Sequence, residues 1–326
     1  MQNAGKTLIL TMLTISATLA NAQLKGAQFS GLPIDARRSI SSALLREVPG
    51  LSWAQLAKLT SSDGQAYDRF GFSVAVSGDT VVVGLSSADG SGHNAAYVFV
   101  KPSTGWANMT ETAELTPSNG ESRDGFGYAV AVSGKTIVVA APSRNVGERT
   151  EGAAYVFVEP TEGWQNMTET AILSARGSKG LYELALSGNT LVVSSGRDSE
   201  SYVFVEPRTG WKSRINADAT LTNPTFYDGN GYCGACVGVS GNTIAIGVPA
   251  NFESEGTVYL FTKPTGGWIG NLNPTATLVA SDGSIDDELG MAVAVSGNTV
   301  VVGANGKNQY RGALYVFVEP AGVGKI

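Results

Sequence analysis

The sequence predicts an all-β protein, and three observations support that class. The 326 residues include 41 glycines, nearly twice the usual share, and Gly is the residue that many tight turns require. Runs of five to seven residues rich in Val, Ile, Tyr, Phe and Thr are bounded by Gly, Asn, Asp, Ser or Pro, which is typical of short strands. The same succession of runs returns five times, so one structural unit is repeated along the chain.

The repeat is marked by a Ser-Gly pair that follows a Val-rich run. Each unit carries four strand-like runs, exemplified by AQLAKLT, FSVAVSG, DTVVVG and AAYVFV. A gap of about two residues separates the second run from the third, and Gly with Asn or Asp supplies the positive φ that such a hairpin demands. Each unit is therefore predicted to be a four-stranded antiparallel sheet. The pairs recur every 53 to 56 residues, at Ser77-Gly78, Ser133-Gly134, Ser187-Gly188, Ser240-Gly241 and Ser296-Gly297.

Five such sheets predict a β-propeller, in which each blade buries both faces against its neighbours and ring closure protects the edges. The ring either closes at five blades or belongs to a longer array, and five complete units favour closure at five. The predicted blades cover about residues 51–106, 107–164, 165–211, 212–268 and 269–326.

Short motifs within the units connect the repeat to a known family. Phe-Gly stands at 70–71 and 126–127, and VVVG, VVAAP and IGVP follow corresponding positions downstream. With these motifs, residues 51–326 resemble FG-GAP repeats, the blades of integrin α-subunit propellers and of many secreted bacterial proteins; LTSSDG, YVFV and Gly105-Trp106 are closest to the bacterial type. Three units depart from the pattern: the third reads GLYELALSG, the fourth has Cys233-Gly234 in place of Phe-Gly, and the fifth has Leu289-Gly290 and lacks the tryptophan. Integrin-like propellers have seven blades, whereas this chain writes five.

The first 22 residues are predicted to be a cleavable signal peptide. Lys6 provides the positive charge, the run 8–15 is a short apolar core, and Ala20-Asn21-Ala22 is an A-x-A cleavage site. The mature chain would begin at Gln23, and residues 23–50 form a linker with a short amphipathic helix. No later segment has eighteen continuous apolar residues, so the prediction is a secreted or cell-surface protein without a transmembrane segment.

The charge of the chain argues against one class of partner, and the spacing of its cysteines argues against a disulfide. The formal charge is −6, and no basic run is interleaved with aromatic residues, which argues against nucleic acid as a partner. The two cysteines, Cys233 and Cys236, are three positions apart on a predicted extended segment, where a disulfide would need a bend. We interpret them as small buried residues. The expected partner is a protein or carbohydrate at the cell exterior.

Catalytic groups are scarce. His93 is the single histidine, and no G-x-S-x-G motif is present, which argues against an activated serine. Glu183 is a carboxylate on the predicted strand before the Ser-Gly pair, at a step where the other units have small residues. Paired with a loop aspartate, it would provide the two carboxyl groups of a carbohydrate-active enzyme. The main hypothesis is a non-enzymatic binding or adhesion module. The alternatives are that enzyme and a structural segment of a larger surface assembly.

Aspartates cluster in the loops that precede the FG strand. The resemblance implies calcium in a D-x-D-x-D-G loop, but no loop here has that spacing, so turn chemistry is the first interpretation and calcium the alternative. No other cofactor is expected. The candidate metal ligands are Asp63, Asp68, Asp124, Asp282 and Asp286.

Four tryptophans follow Gly at the same step of successive units. Such a set either packs at the blade corners as part of the repeat or stacks on sugar rings as a ligand site. We favour packing and keep ligand binding as the alternative. The residues are Trp106, Trp164, Trp211 and Trp268.

Overall fold

The computed structural model describes residues 55–85, 94–121, 123–147, 149–195, 200–224, 236–249 and 255–320. The predicted signal peptide, the predicted helix in 23–50, His93 and Cys233 lie outside these residues. The chain divides into two units, Met1–Lys58 and Leu59–Ile326. Residues 55–58 of the first unit lie in neither helix nor strand, and the elements below belong to the second.

The second unit is nearly all-β, and its described strands form five larger sheets, antiparallel except for one edge, and a separate two-stranded hairpin. In hydrogen-bonding order, sheet 1 contains β1 (Ser73–Ser77), β2 (Thr80–Gly84), β3 (Ala96–Val100) and β4 (Ala113–Leu115). Sheet 2 contains β5 (Val130–Ser133), β6 (Thr136–Ala141), β9 (Ala153–Val158) and β10 (Ala171–Leu173). A small hairpin, β7 (Asn145–Val146) with β8 (Arg149–Thr150), connects β6 to β9.

The remaining three sheets repeat this arrangement with variations at the edge. Sheet 3 contains β11 (Leu181–Ser187), β12 (Thr190–Ser195), β13 (Glu200–Val205) and β14 (Ala219–Thr222), with β18 (Gly270–Leu272) parallel to β14. Sheet 4 contains β15 (Val237–Ser240), β16 (Thr243–Val248), β17 (Thr257–Thr262) and β19 (Ala276–Leu278). Sheet 5 contains β20 (Leu289–Ser296), β21 (Thr299–Ala304) and β22 (Ala313–Val318).

The predicted four-stranded antiparallel sheet is present, but its fourth strand comes from the following repeat unit. Strand β4 lies in the second unit of the sequence and pairs with β3 of the first, so that Ala113 is opposite Val98. Strands β10, β14 and β19 pair in the same way with the third strand of the preceding unit. Each sheet is thus shifted by one strand relative to the sequence repeat. The strand that comes from the following unit connects neighbouring units.

One short helical element, α1 (Lys307–Tyr310), joins β21 to β22. Asn308, Gln309 and Tyr310 all have positive φ, so this element is a left-handed turn instead of a right-handed α-helix. Non-glycine residues rarely adopt this conformation, and the turn places the Lys307 side chain inward, with 7% of its surface exposed.

Each of the five larger sheets has two unlike faces, because the Tyr-x-Phe run of its third strand alternates. In β9, Tyr155 and Phe157 point to one side, whereas Ala154 and Val156 point to the other. We call these sides the aromatic face and the small face of a sheet. Each described sheet carries the same Tyr-x-Phe alternation in its third strand.

Neighbouring sheets pack the small face of one against the aromatic face of the next. Between sheets 1 and 2, the small face includes Val82 and Val98, and the aromatic face includes Tyr155, Phe157 and Trp164; all are buried. Separate clusters of the same kind join sheets 2 and 3, sheets 3 and 4, and sheets 4 and 5. The core is therefore a series of equivalent inter-sheet layers, as expected for a repeat architecture.

The Ser-Gly turns also connect neighbouring sheets. The turn glycines have φ of 56° or 58°, as the first position of a type II′ turn requires, whereas the Asp, Lys or Asn that follows does not have positive φ. The Ser side chain of one sheet accepts a hydrogen bond from the turn Gly of the next. The four pairs are Gly134 N to Ser77 Oγ at 3.2 Å, Gly188 N to Ser133 Oγ at 3.0 Å, Gly241 N to Ser187 Oγ at 3.2 Å and Gly297 N to Ser240 Oγ at 3.1 Å.

A second inter-sheet contact depends on glycine for space. A β-carbon on Gly84 in sheet 1 would clash with the carbonyl oxygen of Gly127, the FG glycine of sheet 2. Gly247 in sheet 4 meets Gly290 of sheet 5 in the same way. Glycine at both the VVVG and the FG positions therefore lets two backbones approach closely.

Replacing Ser133 by Ala should lower the free energy of unfolding by about 1 kcal/mol, because Gly188 N loses its acceptor. Chemical denaturation measures this change. The matched control is Ser103→Ala, at an exposed position in the Pro-Ser-Thr-Gly turn, where no comparable loss is expected. An unchanged stability in the Ser133 variant would contradict the role assigned to the Ser-Gly link.

Candidate functional site

The candidate site is the end of the sheets where the longer loops gather, which we call the loop end. Among the described residues, it contains the loops before the first strands of sheets 1, 2, 3 and 5 and the loops between the second and third strands of sheets 2 and 5. Arg144 from a loop of the second kind contacts Asn119 O and Asp124 in a loop of the first kind, so the two lie side by side. The opposite end, the turn end, contains the Ser-Gly turns, and Lys101 N there donates to Asp79 O at 2.8 Å.

Three loops at the loop end share one framework, beginning with a hydrogen bond to the Tyr of the Tyr-Val-Phe run. An Asp or Asn four residues after the Leu that precedes the loop accepts from the phenol of its own sheet. The pairs are Tyr97 Oη to Asp63 Oδ1 at 2.8 Å, Tyr155 Oη to Asn119 Oδ1 at 3.1 Å and Tyr315 Oη to Asp282 Oδ1 at 2.7 Å. These bonds fix the start of each loop on the rigid sheet below it.

The second shared feature is a buried aspartate that closes the loop. Asp68, Asp124 and Asp287 are 3 to 5% exposed. Each accepts a hydrogen bond from the backbone N–H three residues earlier, which is a local turn that aspartate favours. The distances are 2.6 Å from Gln65 N to Asp68, 2.9 Å from Glu121 N to Asp124 and 2.8 Å from Ser284 N to Asp287.

Basic side chains neutralise the buried aspartates in the loops of sheets 2 and 5. Arg144 Nη1 lies 2.8 Å from Asp124 Oδ2, and Lys307 Nζ lies 2.8 Å from Asp287 Oδ2. Lys307 Nζ is also 3.4 Å from Asp282 Oδ2 and donates to the backbone oxygen of that residue. In each of these two loops, a basic side chain of the protein thus pairs with the buried aspartate.

These contacts locate the five candidate metal ligands. Asp63, Asp68, Asp124 and Asp282 are held by the tyrosine, turn and ion-pair contacts above, whereas Asp286 is exposed with a φ of 67°. Among the residues that the structure describes, no group of three or more His, Cys, Asp or Glu side chains is arranged to hold a metal ion.

The electrostatics of the framework shift several pKa values. Burial, reinforced by the hydrogen bond to Asp63, raises the pKa of Tyr97, and burial raises the pKa of Tyr155 to about 12. The hydrogen bond from Tyr315, followed by the contact with Lys307, lowers the pKa of Asp282. The hydrogen bond to Asp287 raises the pKa of Lys307. Both shifts favour the charged forms of the ion pair.

The four tryptophans lie at the turn end and mostly inside the protein. Trp164, Trp211 and Trp268 are 6%, 5% and 1% exposed and belong to the inter-sheet clusters, and Trp106 is half-buried against the aromatic face of sheet 1. The indole N–H groups of the three buried residues have no hydrogen-bond partner within the described part of the chain. A sugar could not stack on those three rings without opening the core.

Glu183 on β11 and Cys236, directly before β15, occupy equivalent positions in sheets 3 and 4. Burial raises the pKa of both, to about 11 for Cys236, where the nearby Glu183 carboxylate adds to the shift. The free thiol of Cys236 donates to Met291 O of sheet 5 at 2.6 Å. Ser73 of sheet 1 makes the corresponding contact with Gly127 O at 2.8 Å, so Cys236 acts as a small inter-sheet donor.

The exposed positions of the loop framework carry different residues. Tyr67, Arg123 and Asp286 stand one residue before the buried aspartate in the three loops, and all are exposed. Ile285 and Tyr310 lie exposed in the loops of sheet 5, and Tyr67 and Tyr310 have 78% and 74% of their surface accessible. Asp286 had been singled out as a candidate metal ligand. Sequence reasoning missed Tyr67, Arg123, Ile285 and Tyr310, although the offset from the repeated Asp would have located the first two.

The buried ion pair predicts a specific loss of stability. Replacing Arg144 by Met should lower the free energy of unfolding by about 2 kcal/mol, less than for a fully buried pair because Arg144 keeps some exposure. Chemical denaturation checks this value. Arg123→Met, one residue before Asp124 and exposed, is the matched control and should be nearly silent. Equal effects of the two variants would contradict the framework.

The tyrosine hydrogen bonds predict a loss of stability at alkaline pH. The folded pKa of Tyr155, about 12, lies above the unfolded value of about 10, so its contribution is complete below pH 10 and is lost as pH rises toward 12. Denaturant titrations at several pH values, with tyrosinate absorbance, measure this dependence. Tyr155→Phe should lose less stability than the native chain over that interval, and identical pH profiles would refute the assignment.

Comparison with known proteins identifies the repeat. The family model of the FG-GAP repeat matches residues 53–99, 109–157 and 273–317, which confirms the resemblance found in the motifs. The unmatched units are the third and fourth, whereas the fifth is matched although Leu289-Gly290 replaces Phe-Gly there. FG-GAP repeats form β-propeller structures and occur in extracellular and surface proteins. Within the described residues, no helix is both long and apolar enough to cross a membrane.

Many solved structures are similar to parts of the chain, the following two among them, and no curated protein sequence matches it. The crystal structure of the computationally designed Ika8 protein is 16% identical with a TM-score of 0.44, covering 81% of this chain and 74% of that one. The crystal structure of the computationally designed Ika4 protein is 17% identical with a TM-score of 0.37, covering 63% of this chain and 96% of that one.

Proposed function

We propose that this chain, an FG-GAP repeat protein, is a non-enzymatic binding or adhesion module of the cell exterior. It is built on a β-propeller of five blades and holds its ligand with the loops at the loop end. The ligand is a protein or a carbohydrate outside the cell, and export depends on the signal peptide predicted in residues 1–22. The occurrence of FG-GAP repeats in extracellular and surface proteins supports this location.

One observation carries the proposal: the loop end combines a repeated framework with unlike exposed side chains. The framework residues are used internally, by the tyrosine, the backbone and the ion pair. The positions between them present Tyr67, Arg123 and Asp286 to solvent on three otherwise similar loops. Rigid scaffolds with variable exposed loops are a common basis of recognition, since the scaffold positions the loop and the loop residues select the ligand.

The five-blade architecture is supported by the equivalence of the five sheets. Each has a small face and an aromatic face, and successive sheets pack these faces together in the same sense. Such packing gives each of sheets 2, 3 and 4 a neighbour on both faces, as the blades of a propeller have. We assign one blade to each sheet, with its outermost strand contributed by the next repeat unit.

Exposed aromatic side chains at the loop end supply the contact surface. Tyr67 and Tyr310 combine a large apolar ring with a hydroxyl, which suits both sugar stacking and protein contacts. Because Trp164, Trp211 and Trp268 are buried in the inter-sheet layers, we assign ligand contact to the loop tyrosines. Their backbones have positive φ, a costly conformation for non-glycine residues that is common at binding sites.

The test is binding of the mature chain from Gln23 to arrays of glycans and extracellular-matrix proteins, with calcium and with chelator in parallel. We expect a saturable ligand, and we expect Tyr67→Ala and Tyr310→Ala to weaken its binding by about tenfold or more, as loss of a central aromatic contact does. Glu162→Ala, exposed at the turn end, is the matched control and should bind normally.

Two results would overturn this proposal. One is the absence of any binding, in both conditions, by protein whose cooperative unfolding shows that it is folded. The other is equal weakening by the loop-end and turn-end variants. Loss of binding in chelator alone would retain the module and add calcium to its loops.

A further inference from the structure

We infer that sheet 5 closes on sheet 1 of the same chain, through a fifth inter-sheet layer equivalent to the four already formed. The inference rests on the propeller architecture proposed above and deepens it by naming the residues in contact. In the structure, the outward faces of these two sheets are exposed. Three pairwise contacts and one strand pairing follow from the repeat.

The aromatic face of sheet 1 is uncovered along its first strand. Val74 and Val76 are each 67% exposed, whereas the equivalent Val130 and Val132 of sheet 2 are 8% and 9% exposed. Apolar side chains on a strand are rarely left in water when a complementary surface exists, since their burial is a main driving force for packing.

The small face of sheet 5 is uncovered in the same way. Leu314 and Val316 of β22 are 67% and 59% exposed, while the equivalent Ala96 and Val98 of sheet 1 are fully buried. Each formed layer joins a small face to an aromatic face. The uncovered face of sheet 1 is aromatic and that of sheet 5 is small. The two faces are therefore complementary in the same way as those that meet in the formed layers.

The first predicted contact continues the Ser-Gly links. Four of the five turn serines accept from the turn glycine of the next sheet. The serine left over is Ser296, and the turn glycine left over is Gly78, which has the same positive φ as the other four. Closure makes Ser296 Oγ the acceptor for Gly78 N and completes a cycle of five.

The second and third contacts follow from residues in the layer between sheets 4 and 5. A β-carbon on Gly238 would lie 3.0 Å from Val295 Cγ2, and the equivalents of these two residues at the fifth layer are Ala294 and Val76. The backbone contact of Gly247 with Gly290 predicts a contact of Gly303 with Gly71. Gly71 has a φ of 91°, close to that of Gly127, although no neighbour lies within 4 Å of where its β-carbon would be.

The strand pairing concerns the edge of β22. Leu115, Leu173, Leu221 and Leu278 belong to the fourth strands of sheets 1 to 4. Leu115 and Leu173 also form parallel bridges with the next sheet's outer loop, to Met167 and Arg214. Leu59 forms the same bridge with Met109, so it has the position of a fourth strand that precedes sheet 1. By the shared register, Leu59 would pair with Leu314.

The first sheet of the same chain is the occupant that the repeat favours. Five serines and five turn glycines satisfy one another within a single ring, whereas head-to-tail stacking of separate copies leaves unpaired faces at both ends of any open assembly. Both faces are also on one chain, which gives them a high effective concentration.

A cysteine pair tests the closure. Ala294→Cys with Val76→Cys is made in a chain that also carries Cys233→Ser and Cys236→Ser, so that no other thiol competes. Equivalent residues approach closely in the layer between sheets 4 and 5, within reach of a disulfide. The positive control is Ala75→Cys with Val132→Cys, whose parent residues belong to the cluster between sheets 1 and 2.

We expect the test pair to oxidise to a disulfide within the monomer as completely as the control pair, seen by thiol counting and non-reducing electrophoresis. Disulfide-linked oligomers would overturn the inference in favour of a second copy as the occupant. Free thiols in the test pair, beside a closed control pair, would overturn it in favour of an open array.

A second measurement does not rely on cysteines. Ser296→Ala and Ser240→Ala should shift the denaturation midpoint to the same extent, because each removes one equivalent acceptor. A shift for Ser240→Ala with none for Ser296→Ala would overturn closure. Neither measurement involves a ligand. A closed ring that binds nothing on the arrays would defeat the proposed function alone, and ligand binding without closure would defeat this inference alone.

Discussion

The packing of unlike faces is the constraint on which the rest of the structure depends. Two such sheets, each with a small face and an aromatic face, pack poorly when their small faces meet or when their aromatic faces meet. They pack well when the small face of one meets the aromatic face of the next. The alternation of Tyr-Val-Phe therefore sets the direction in which units follow one another. It also places Trp164, Trp211 and Trp268 inside the layers, where large rings fill the space beside small residues.

Short motifs do more than one task in this arrangement. The Ser-Gly pair provides a turn within its own sheet and a hydrogen bond between sheets, as at Ser77 and Gly134. The FG glycine provides positive φ and also room for the neighbouring backbone.

The exposed first strand of sheet 1 carries a cost in stability. Leaving Val74 and Val76 in water forgoes about 1.5 to 3 kcal/mol per side chain, which is a substantial penalty for a marginally stable domain.

The sequence was sufficient for the fold class, the strands and the antiparallel order, because strand alternation and turn residues are local. It did not give the phase of the repeat: a period is the same wherever the unit is cut, and only pairing shows that β4 belongs with β3. The aspartate loops were located from composition, but the cations were not, since Arg144 and Lys307 come from a different loop. The spacing of the tryptophans could not distinguish burial from exposure, because their burial depends on how neighbouring sheets pack.

The loop end and the closing layer are parts of one account, since loops recognise a ligand best when the sheets beneath them are fixed. The most direct test of its central claim, the cyclic Ser-Gly link, is amide hydrogen exchange at the five turn glycines. The account predicts that Gly78 exchanges as slowly as Gly134, Gly188, Gly241 and Gly297, whose links are formed. Rapid exchange at Gly78, with protection at the other four, would contradict it.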